Sequence, residues 1–466
     1  MALGRPPVVL DPALVGPDSA EPLWAVYTPP LTYRRAEGRD GTEVVPGVAD
    51  RVPRASGDGR TYTLRVRNGL HFTNGRPVRA SDVEHSILRA RAVGPVGRRL
   101  FGGVARTSSD DDTRTVVLVL RRPDPSFPHA LAAVQAGVVP ANTPMRAARA
   151  RPPAGIGPYR IDSARPGRRF VLIRNRDFSL PSVPGGRLDR VVVTSGGTPA
   201  EQLERVAADS LDVMVSPPPA DRLPELRSEL RERYSEYPDL DTMYLALRSR
   251  GAAFGKQKLR EALARALDKP EAARRLGGLV RTTCNVLPPL LPGYREIDSC
   301  PWGDPSEHPD LVRARELVEE AGEVGRPVAV WASRAAAPVA RLYVATLRKI
   351  GLAATREPRR VADVRLLTAR APVPDPARFL APLAARVPLM VDAEVRLAAD
   401  DLAAENDPDE RARLAERVDA DLVESAVIVP YANSLRTLFL SERIDAANCA
   451  RFHSVYGVDI TDLCLR

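Results

Sequence analysis

The chain has 466 residues, of which 44% are hydrophobic and 27% charged, so it is long enough to form two or three lobes with separate cores. Its formal net charge is +9, but the arginines are spread along the chain and usually lie near acids, which argues against a nucleic-acid-binding surface. No segment approaches the roughly 20 apolar residues that a membrane-spanning helix needs.

Strand and helix patterns are mixed along the chain, without the fixed period of a repeat protein. Residues 61–67 alternate in polarity, with Tyr62, Leu64 and Val66 on one face, as in a half-buried strand. Runs of β-branched apolar residues, bounded by turn residues, predict further strands at 115–120, 170–174 and 190–194.

Capping residues mark several helix starts. Ser81 with Glu84 and Thr198 with Glu201 have the spacing of capping boxes, in which each side chain accepts a hydrogen bond from the backbone of the other residue. Asp407, which is followed by a proline, marks another helix start. The strands and helices together predict an α/β chain.

The four cysteines form two local pairs, Cys284 with Cys300 and Cys449 with Cys464. Neither pair has metal-binding spacing and the five histidines are isolated, so we predict no metal site and no cofactor. Two disulfides would indicate an oxidising compartment, whereas four buried thiols would suit a cytosolic protein. We expect the two disulfides.

Recognisable catalytic motifs are absent from the sequence: it contains no G-x-S-x-G elbow, no H-E-x-x-H motif and no Walker loop. The pair Gly155 and Gly157 lacks the third glycine of a dinucleotide fingerprint. The carboxylate run at 110–112 precedes a strand, and such runs are usually solvated. A histidine-based acid–base site stays open, although nothing in the sequence proposes one. We therefore expect a protein that is not an enzyme.

Motifs distributed along the chain point to one protein family. The most specific stretch, residues 44–90, contains VPGVA at 45–49, DGRTYTL at 58–64, RNGLHFTNGRPV at 67–78 and ASDV at 80–83. Further matches are GIGPY at 155–159, RNRDF at 174–178, YLAL at 244–247, LREAL at 259–263, ALDK at 266–269, VIVPY at 427–431 and YGVD at 456–459. On these motifs the chain resembles the extracytoplasmic solute-binding proteins of family 5, which include oligopeptide- and dipeptide-binding proteins.

The resemblance implies a two-lobed fold of the periplasmic-binding-protein type II, with an extra domain inserted in the first lobe. Lobe one would comprise residues 1–45, 158–243 and 437–466, the inserted domain residues 46–157, and lobe two residues 244–436. The two crossings between lobes, near 243 and 437, would form a hinge between open and closed states.

The function implied by the resemblance is that of the substrate-binding component of an ABC-type importer, which captures a small peptide or a peptide-like, modified compound by lobe closure. The implied partners are this ligand and a membrane permease, and we expect a monomer that does not bind nucleic acid. The implied location is extracytoplasmic, at the cell surface or in the periplasm, as for a lipoprotein. The sequence as given shows no apolar signal segment, so an exported form would have its leader removed from, or lying outside, this sequence.

A second interpretation is a degenerate, non-transport member of the same family, cytosolic or within a biosynthetic pathway. Such a protein would act as a carrier, a sensor or an enzyme on the same scaffold. The motivating observations are the absence of a leader in the sequence as given and an altered ligand site in the second lobe, described below.

In peptide-binding relatives, extended protein segments pair with the ligand backbone while an acid anchors its amino terminus. The loop after residues 10–12 resembles the first of those segments. The resemblance therefore implies that Gly16, Pro17 and Asp18 face the ligand cleft.

Three aromatic residues are candidate ligand contacts. Trp24 and Tyr27 follow the same loop, and the alternative for both is packing in the core. Phe101 is a candidate for the cleft wall, and the alternative is an exposed position in a loop.

The second lobe departs from the family pattern. Relatives carry a tryptophan and an anchoring aspartate before a proline-containing turn, but residues 367–376 read LTARAPVPDP, with Pro372 in the place of the aspartate and no tryptophan. Asp375 or Asp18 could substitute for the anchor. Arg370 offers a guanidinium that suits a carboxylate or a phosphate, and the alternative is an ordinary surface arginine. We therefore expect a ligand other than a peptide with a free amino terminus, or a site that has lost binding.

Overall fold

The computed structural model shows a chain that divides into two compact units. Unit 1 comprises Met1–Tyr237 and Thr437–Arg466, and unit 2 comprises Pro238–Arg436. The division of unit 1 into a lobe and an inserted domain at 46–157 stays a prediction. The structure describes residues 1, 9–16, 21–148, 152–165, 167–194, 196–247, 254–387 and 393–466.

In these described ranges, the strands in chain order are β1 (Leu31–Tyr33), β2 (Val44–Pro46), β3 (Thr61–Arg65), β4 (Val104–Asp110), β5 (Thr115–Leu120), β6 (Tyr159–Arg165), β7 (Arg169–Arg174), β8 (Arg190–Thr194), β9 (Val213–Met214), β10 (Tyr234–Pro238), β11 (Asp241–Leu247), β12 (Val280–Thr282), β13 (Pro327–Ala332), β14 (Ala353–Arg356), β15 (Val364–Arg370), β16 (Ile428–Leu440), β17 (Phe452–His453) and β18 (Gly457–Val458). The α-helices are α1 (Ala80–Val93), α2 (Pro95–Phe101), α3 (Phe127–Leu131), α4 (Pro199–Ala207), α5 (Leu223–Ser228), α6 (Gln257–Arg265), α7 (Lys269–Arg275), α8 (Leu311–Glu320), α9 (Ala337–Lys349), α10 (Pro376–Ala384), α11 (Glu394–Ala404), α12 (Pro408–Glu424) and α13 (Ala446–Cys449). Within the described part of the chain, none of these helices is both long and apolar enough to span a bilayer.

Unit 1 contains several small antiparallel sheets. One has the order β3-β5-β4 and packs against α1, and another has the order β6-β7-β8. Strands β1 and β2 form a pair, as do β17 and β18 near the end of the chain. Mixed helices and strands confirm the prediction of an α/β chain.

Unit 2 is built on a mixed sheet, in which β11 lies between β16 and β15 and is antiparallel to both. The sheet continues through β13 to β14, which run parallel to each other. Helix α9 packs on β13 and β14, while α10, α11 and α12 pack on one another. Apolar residues of the strands and helices form one continuous hydrophobic core.

Two strands carry the chain between the units. Strand β10 ends at Pro238, the first residue of unit 2, and β16 runs from unit 2 back into unit 1. The two strands are neighbours in the sheet. The return strand pairs with β11 and β12 on the unit 2 side and with β9 on the unit 1 side.

The strands predicted from polarity patterns are confirmed. Strand β3 buries Tyr62 and Leu64 and exposes Thr63 and Arg65, as the alternation requires. The three β-branched runs form β5, β7 and β8 within one residue of the predicted limits. These runs pair with neighbours in sheets, which satisfies their backbone hydrogen bonds.

One of the two predicted capping boxes is confirmed and the other is wrong. Thr198 accepts a hydrogen bond from the backbone of Glu201, whose carboxylate in turn accepts from Thr198 N. Helix α1 begins at Ala80, before Ser81, because the carboxylate of Asp82 accepts from Arg79 N at 2.9 Å. The carboxylate of Glu84 instead accepts from hydroxyl groups of β4.

Candidate functional site

A buried ion pair holds the segment that leads to Gly16. Nη1 and Nη2 of Arg89, on α1, donate to the two carboxylate oxygens of Asp11 at 2.7 and 2.6 Å, and neither side chain is more than 1% exposed. Asp11 also accepts from Ala13 N, which caps the short 3-10 helix Pro12–Leu14. Because a buried charge without its partner is costly, this pair fixes where the chain enters the following loop.

Gly16 stands at the end of this fixed segment and is half-buried. A Cβ built on Gly16 would meet no heavy atom of the described residues within 4 Å, so the space beside Gly16 is open with respect to that part of the chain. Pro17 and Asp18 lie outside the described residues. The contact of these three residues with a ligand stays a prediction.

Trp24 and Tyr27 are both buried in unit 1. The ring centroid of Trp24 lies 3.9 Å from that of Tyr456, and Trp24 also meets Tyr33 edge-on. The hydroxyl of Tyr27 lies 3.0 Å from the carbonyl oxygen of Leu10, and burial raises the pKa of Tyr27 well above its usual range. These contacts support the alternative of core packing, and a ligand contact for either ring stays a prediction.

Phe101 is the last residue of α2 and has no exposed surface. Its ring meets the ring of Phe127 at right angles, with centroids 6.3 Å apart. The alternative of an exposed loop position is therefore wrong, because the end of α2 turns this side chain into the core of unit 1. Its place in a cleft wall stays a prediction.

Arg370, the last residue of β15, has an acidic partner within unit 2. Its Nη1 and Nη2 donate to the two carboxylate oxygens of Asp239 at 2.8 and 2.9 Å, which is a bidentate pair. Asp239 follows β10 directly, and its side chain is 9% exposed against 32% for Arg370. The guanidinium predicted to receive an anionic ligand group is thus already oriented by a carboxylate of the protein.

A second carboxylate, that of Asp241, lies beside this pair. Asp241 is the first residue of β11 and is opposite Arg370 in the strand register, with Oδ2 3.9 Å from Nη1 of Arg370. The Oδ1 atom of Asp241 accepts from Ser434 N at 2.9 Å. We call Asp239, Asp241, Arg370 and Ser434 the crossover cluster, because these residues lie next to the two chain crossings.

The crossover cluster contains two carboxylates and one guanidinium, so it carries one excess negative charge when both acids are ionised. Burial, and then the nearby charge of Asp239, raise the pKa of Asp241, while Ser434 and Arg370 oppose the shift. The arrangement can therefore hold a proton or accept a cationic group.

Asp375 has a structural role in unit 2. Its Oδ1 accepts from Arg378 N and caps α10, and its Oδ2 accepts from Nη2 of Arg411 at 2.5 Å. Asp375 is 2% exposed, and both of its oxygens have partners inside the protein. These contacts account for Asp375 without a ligand, and its role as a substitute anchor stays a prediction.

Both predicted cysteine pairs have their sulfur atoms at disulfide-bonding distance. The Cα atoms of Cys284 and Cys300 are 5.7 Å apart, and those of Cys449 and Cys464 are 5.6 Å apart. Within the described residues, one group of three side chains has the spacing of metal ligands: Asp445, Cys449 and Cys464. Its two cysteines are the second of these pairs.

Sequence reasoning missed the acids that partner the predicted residues. Asp239 and Asp241 stand two apart at the start of an apolar strand, a spacing that places both side chains on one side of an extended chain. The proline after Asp11 indicated a turn. Nothing in the sequence indicated that Arg89, 78 residues further along the chain, is the partner of Asp11. The available signal for these partners was the presence of two acids, Asp239 and Asp241, directly before the apolar residues of a strand.

Comparison with known proteins gives a match to one family model. Residues 43–370 match the model described as "Bacterial extracellular solute-binding proteins, family 5 Middle". A probable peptide ABC transporter periplasmic-binding protein of Sinorhizobium fredii is 28% identical over 332 residues, which are 65% of this chain and 60% of that protein. The dipeptide-binding protein of Escherichia coli is 26% identical over 350 residues, 69% of this chain and 62% of that protein. The chain thus spans less than two thirds of the length of these relatives, which are binding proteins rather than enzymes.

Solved structures with the same fold match the chain over its whole length. One, titled "Clavulanic acid biosynthesis oligopeptide binding protein 2", has a TM-score of 0.85 at 23% identity and covers 100% of this chain and 95% of its own. Another is a periplasmic binding protein of Helicobacter pylori in complex with a peptide, with a TM-score of 0.72 at 21% identity and coverage of 100% and 97%. These likenesses confirm the predicted type II periplasmic-binding-protein fold.

Proposed function

Since the chain belongs to family 5 of the bacterial extracellular solute-binding proteins, we propose that it is the substrate-binding component of an ABC-type importer that captures a small peptide or a peptide-like, modified compound. The observation that carries the proposal is the family match over residues 43–370. The named functions of relatives support it, because they include a dipeptide-binding protein, a glutathione-binding protein and a probable D,D-dipeptide-binding protein of Escherichia coli.

Capture by a protein of this kind requires two bodies that can move about a small number of chain crossings. The chain divides into two units and passes between them twice, through β10 and β16. A ligand that binds the closed state more tightly than the open state shifts the population toward closure. The division into two units therefore supports capture by closure.

The ligand group that suits the crossover cluster is a cation. Asp239 already neutralises the guanidinium of Arg370, and Asp241 adds a second carboxylate with a polar partner in Ser434. A carboxylate or phosphate entering this cluster would meet two acids, whereas an ammonium group would balance the excess charge. A peptide-like compound with a protonated amine is thus the ligand class that we propose for this part of unit 2, in place of the ligand without a free amino terminus that the sequence predicts.

The remaining features of the proposal follow from the family. We propose that the protein works outside the cytoplasm, where the cysteine pairs 284–300 and 449–464 are oxidised, and that it delivers its ligand to a membrane permease. We also propose a monomer that catalyses no reaction, uses no metal or cofactor and does not bind nucleic acid. Anchoring by a lipid belongs to the same proposal.

Thermal-shift screening of the purified protein tests the function. The compounds are di- and tripeptides, glutathione, amide- or acyl-modified peptides, and sugars as controls. Binding to the folded state raises the free energy of unfolding by about 2.7 kcal/mol when the ligand concentration is one hundred times the dissociation constant. We expect stabilisation by at least one peptide-like compound, confirmed by calorimetry. Stabilisation by sugars alone would overturn the ligand class.

The second candidate is the degenerate, non-transport member of the family. Pro372 in place of the anchoring aspartate favours it, as does the name of the clavulanic acid biosynthesis oligopeptide binding protein that shares the fold. A complete lack of stabilisation by the peptide-like compounds would favour this candidate over the importer component.

A further inference from the structure

A surface pocket of about 430 Å³ lies in unit 1, beside the sheet β6-β7-β8. None of the residues that line it was a candidate ligand contact above, so the pocket is a separate feature of the molecule. Its lining includes Arg174, Asn175, Arg176, Phe178, Arg187 and Asp189.

Hydrogen bonds hold the walls of this pocket on both sides. Nδ2 of Asn175 donates to the carbonyl oxygen of Gly157 at 3.0 Å. The hydroxyl of Tyr159 donates to the carbonyl oxygen of Leu188 at 2.9 Å. A Cβ on Gly186 would lie 2.7 Å from the Tyr159 ring, so the loop packs directly on that ring. The pocket is therefore preorganised, which lowers the entropy that a ligand must lose on binding.

Arg174, at the end of β7, is the least compensated cation of the pocket. Its Nε atom is buried and has no hydrogen-bond partner in the part of the chain that the structure describes. Among the described residues, no carboxylate forms an ion pair with its guanidinium, whereas Arg176 and Arg187 have acidic partners. An anion placed in the pocket would give this guanidinium a partner of opposite charge.

The other two arginines each have an acidic partner, and Arg187 also donates to Sγ of Cys464. Arg176 meets Asp189 at 3.2 Å, with both side chains more than 70% exposed, and Arg187 meets Asp462 at 3.6 Å. The pair of Arg176 and Asp189 is weak because both side chains are exposed, so the guanidinium of Arg176 can turn toward a ligand. Asp462 is largely buried and holds Arg187 in place. Three arginines and one aspartate line the pocket, and Asp462 neutralises one further guanidinium, so one excess positive charge remains.

We propose that this pocket binds the phosphate group of a soluble phosphate monoester whose organic part covers Phe178. The excess positive charge attracts a phosphate group, and guanidinium groups match the geometry of its oxygens. The pocket is larger than a bare phosphate ion requires, and Phe178 gives one wall an apolar surface for the ester group. The site belongs to unit 1 alone and does not depend on the transport function.

Calorimetric titration of the full chain with phenyl phosphate, and separately with inorganic phosphate, tests the proposal. We expect saturable binding of both, tighter for phenyl phosphate, and an affinity about tenfold or more lower in Arg174→Gln. Arg99→Gln is the matched control, because Arg99 is an exposed arginine of α2 outside the pocket. This control is expected to bind as the wild type does.

A second variant covers the risk that Arg174→Gln does not fold. The side chain of Arg176 is 78% exposed, so Arg176→Gln is expected to fold normally and still to bind phenyl phosphate more weakly. No saturable binding of phenyl phosphate, or wild-type affinity in both variants, would overturn the proposal. Binding to phosphatidylglycerol vesicles without binding of phenyl phosphate would also overturn it, in favour of a lipid headgroup.

Discussion

Asp419 and Asn285 face each other in the interior of unit 2, where Oδ2 of Asp419 accepts a hydrogen bond from Nδ2 of Asn285 at 2.7 Å. Oδ1 of the same carboxylate accepts from the backbone N–H groups of Val286 and Leu287. Helix α12 thereby holds the segment that follows Cys284. Although these hydrogen bonds favour the ionised form, burial raises the pKa of Asp419 to about 7.

From this pKa we predict that the contribution of Asp419 to the free energy of unfolding falls as the pH rises from about 4 to about 7. The folded state retains a proton that the unfolded chain releases near its ordinary pKa of 3.8, so the contribution of Asp419 to stability is complete below that value and lost as pH passes through the folded pKa. Asp419→Asn cannot ionise and should show a flatter dependence of unfolding free energy on pH. Urea titrations across this range provide the measurement.

Glu424→Gln is the control for this prediction, because Glu424 is an exposed acid of the same helix. It should keep the wild-type slope. A profile for Asp419→Asn as steep as that of the wild type would show that Asp419 does not titrate in this range.

The buried pair of Asp11 and Arg89 gives a second prediction. Arg89→Met should lower the free energy of unfolding by about 3–5 kcal/mol, because it leaves Asp11 buried without its cation. Arg34→Met removes one partner of an ion pair that is more than half exposed, and should cost at most about 1 kcal/mol. Chemical denaturation measures both variants. Equal losses in the two would contradict the special role of the buried pair.

The crossover cluster gives a third prediction, measured on a ligand that thermal-shift screening has identified. Arg370→Ala should tighten the binding of a ligand with a protonated amine by about tenfold, because Asp239 loses its cation and both carboxylates of the cluster then attract the ammonium group. Arg360→Ala, in an exposed turn of the same unit, is the control. Unchanged affinity in Arg370→Ala, with normal folding of the free protein, would remove Arg370 from the binding site.

The cysteine pairs give a fourth prediction. Protein purified without reductant should contain no free thiols, and mass spectrometry after alkylation will count them. Replacing Cys284 and Cys300 together with serine should lower the free energy of unfolding by about 3 kcal/mol, since a closed loop of this length restricts the unfolded chain. Finding four alkylated cysteines in the wild type would contradict the oxidised state.

Local patterns were sufficient to predict strands β3, β5, β7 and β8 and the starts of helices α4 and α12. The Thr198 capping box succeeds because both hydrogen bonds join residues three apart, and nothing else competes for them. The Ser81 box fails because Asp82 reaches back to Arg79 N and starts the helix earlier. Competition between neighbouring polar side chains for the same backbone N–H groups cannot be resolved from spacing alone.

The candidate site was less predictable because its partners lie far apart in sequence. Arg370 and Asp239 are 131 residues apart, and their pairing depends on β15 running antiparallel to β11. Asp375 was a candidate anchor from its type and place, but its pairing with Arg411 follows from the packing of α10 on α12. The family motifs identified the fold because they form its scaffold. The same motifs do not indicate which side chains form ion pairs with one another.

Unit 1 is formed from two separate stretches of the chain, so it can be completed only after unit 2 has been synthesised. Tyr456, which packs against Trp24 and accepts a hydrogen bond from Tyr33 N, belongs to the segment after residue 436 and leaves the ribosome after the whole of unit 2. Unit 2 is one uninterrupted stretch, so all of its residues are available earlier. A nascent chain therefore contains all of unit 2 before Tyr456 is available to the aromatic core of unit 1.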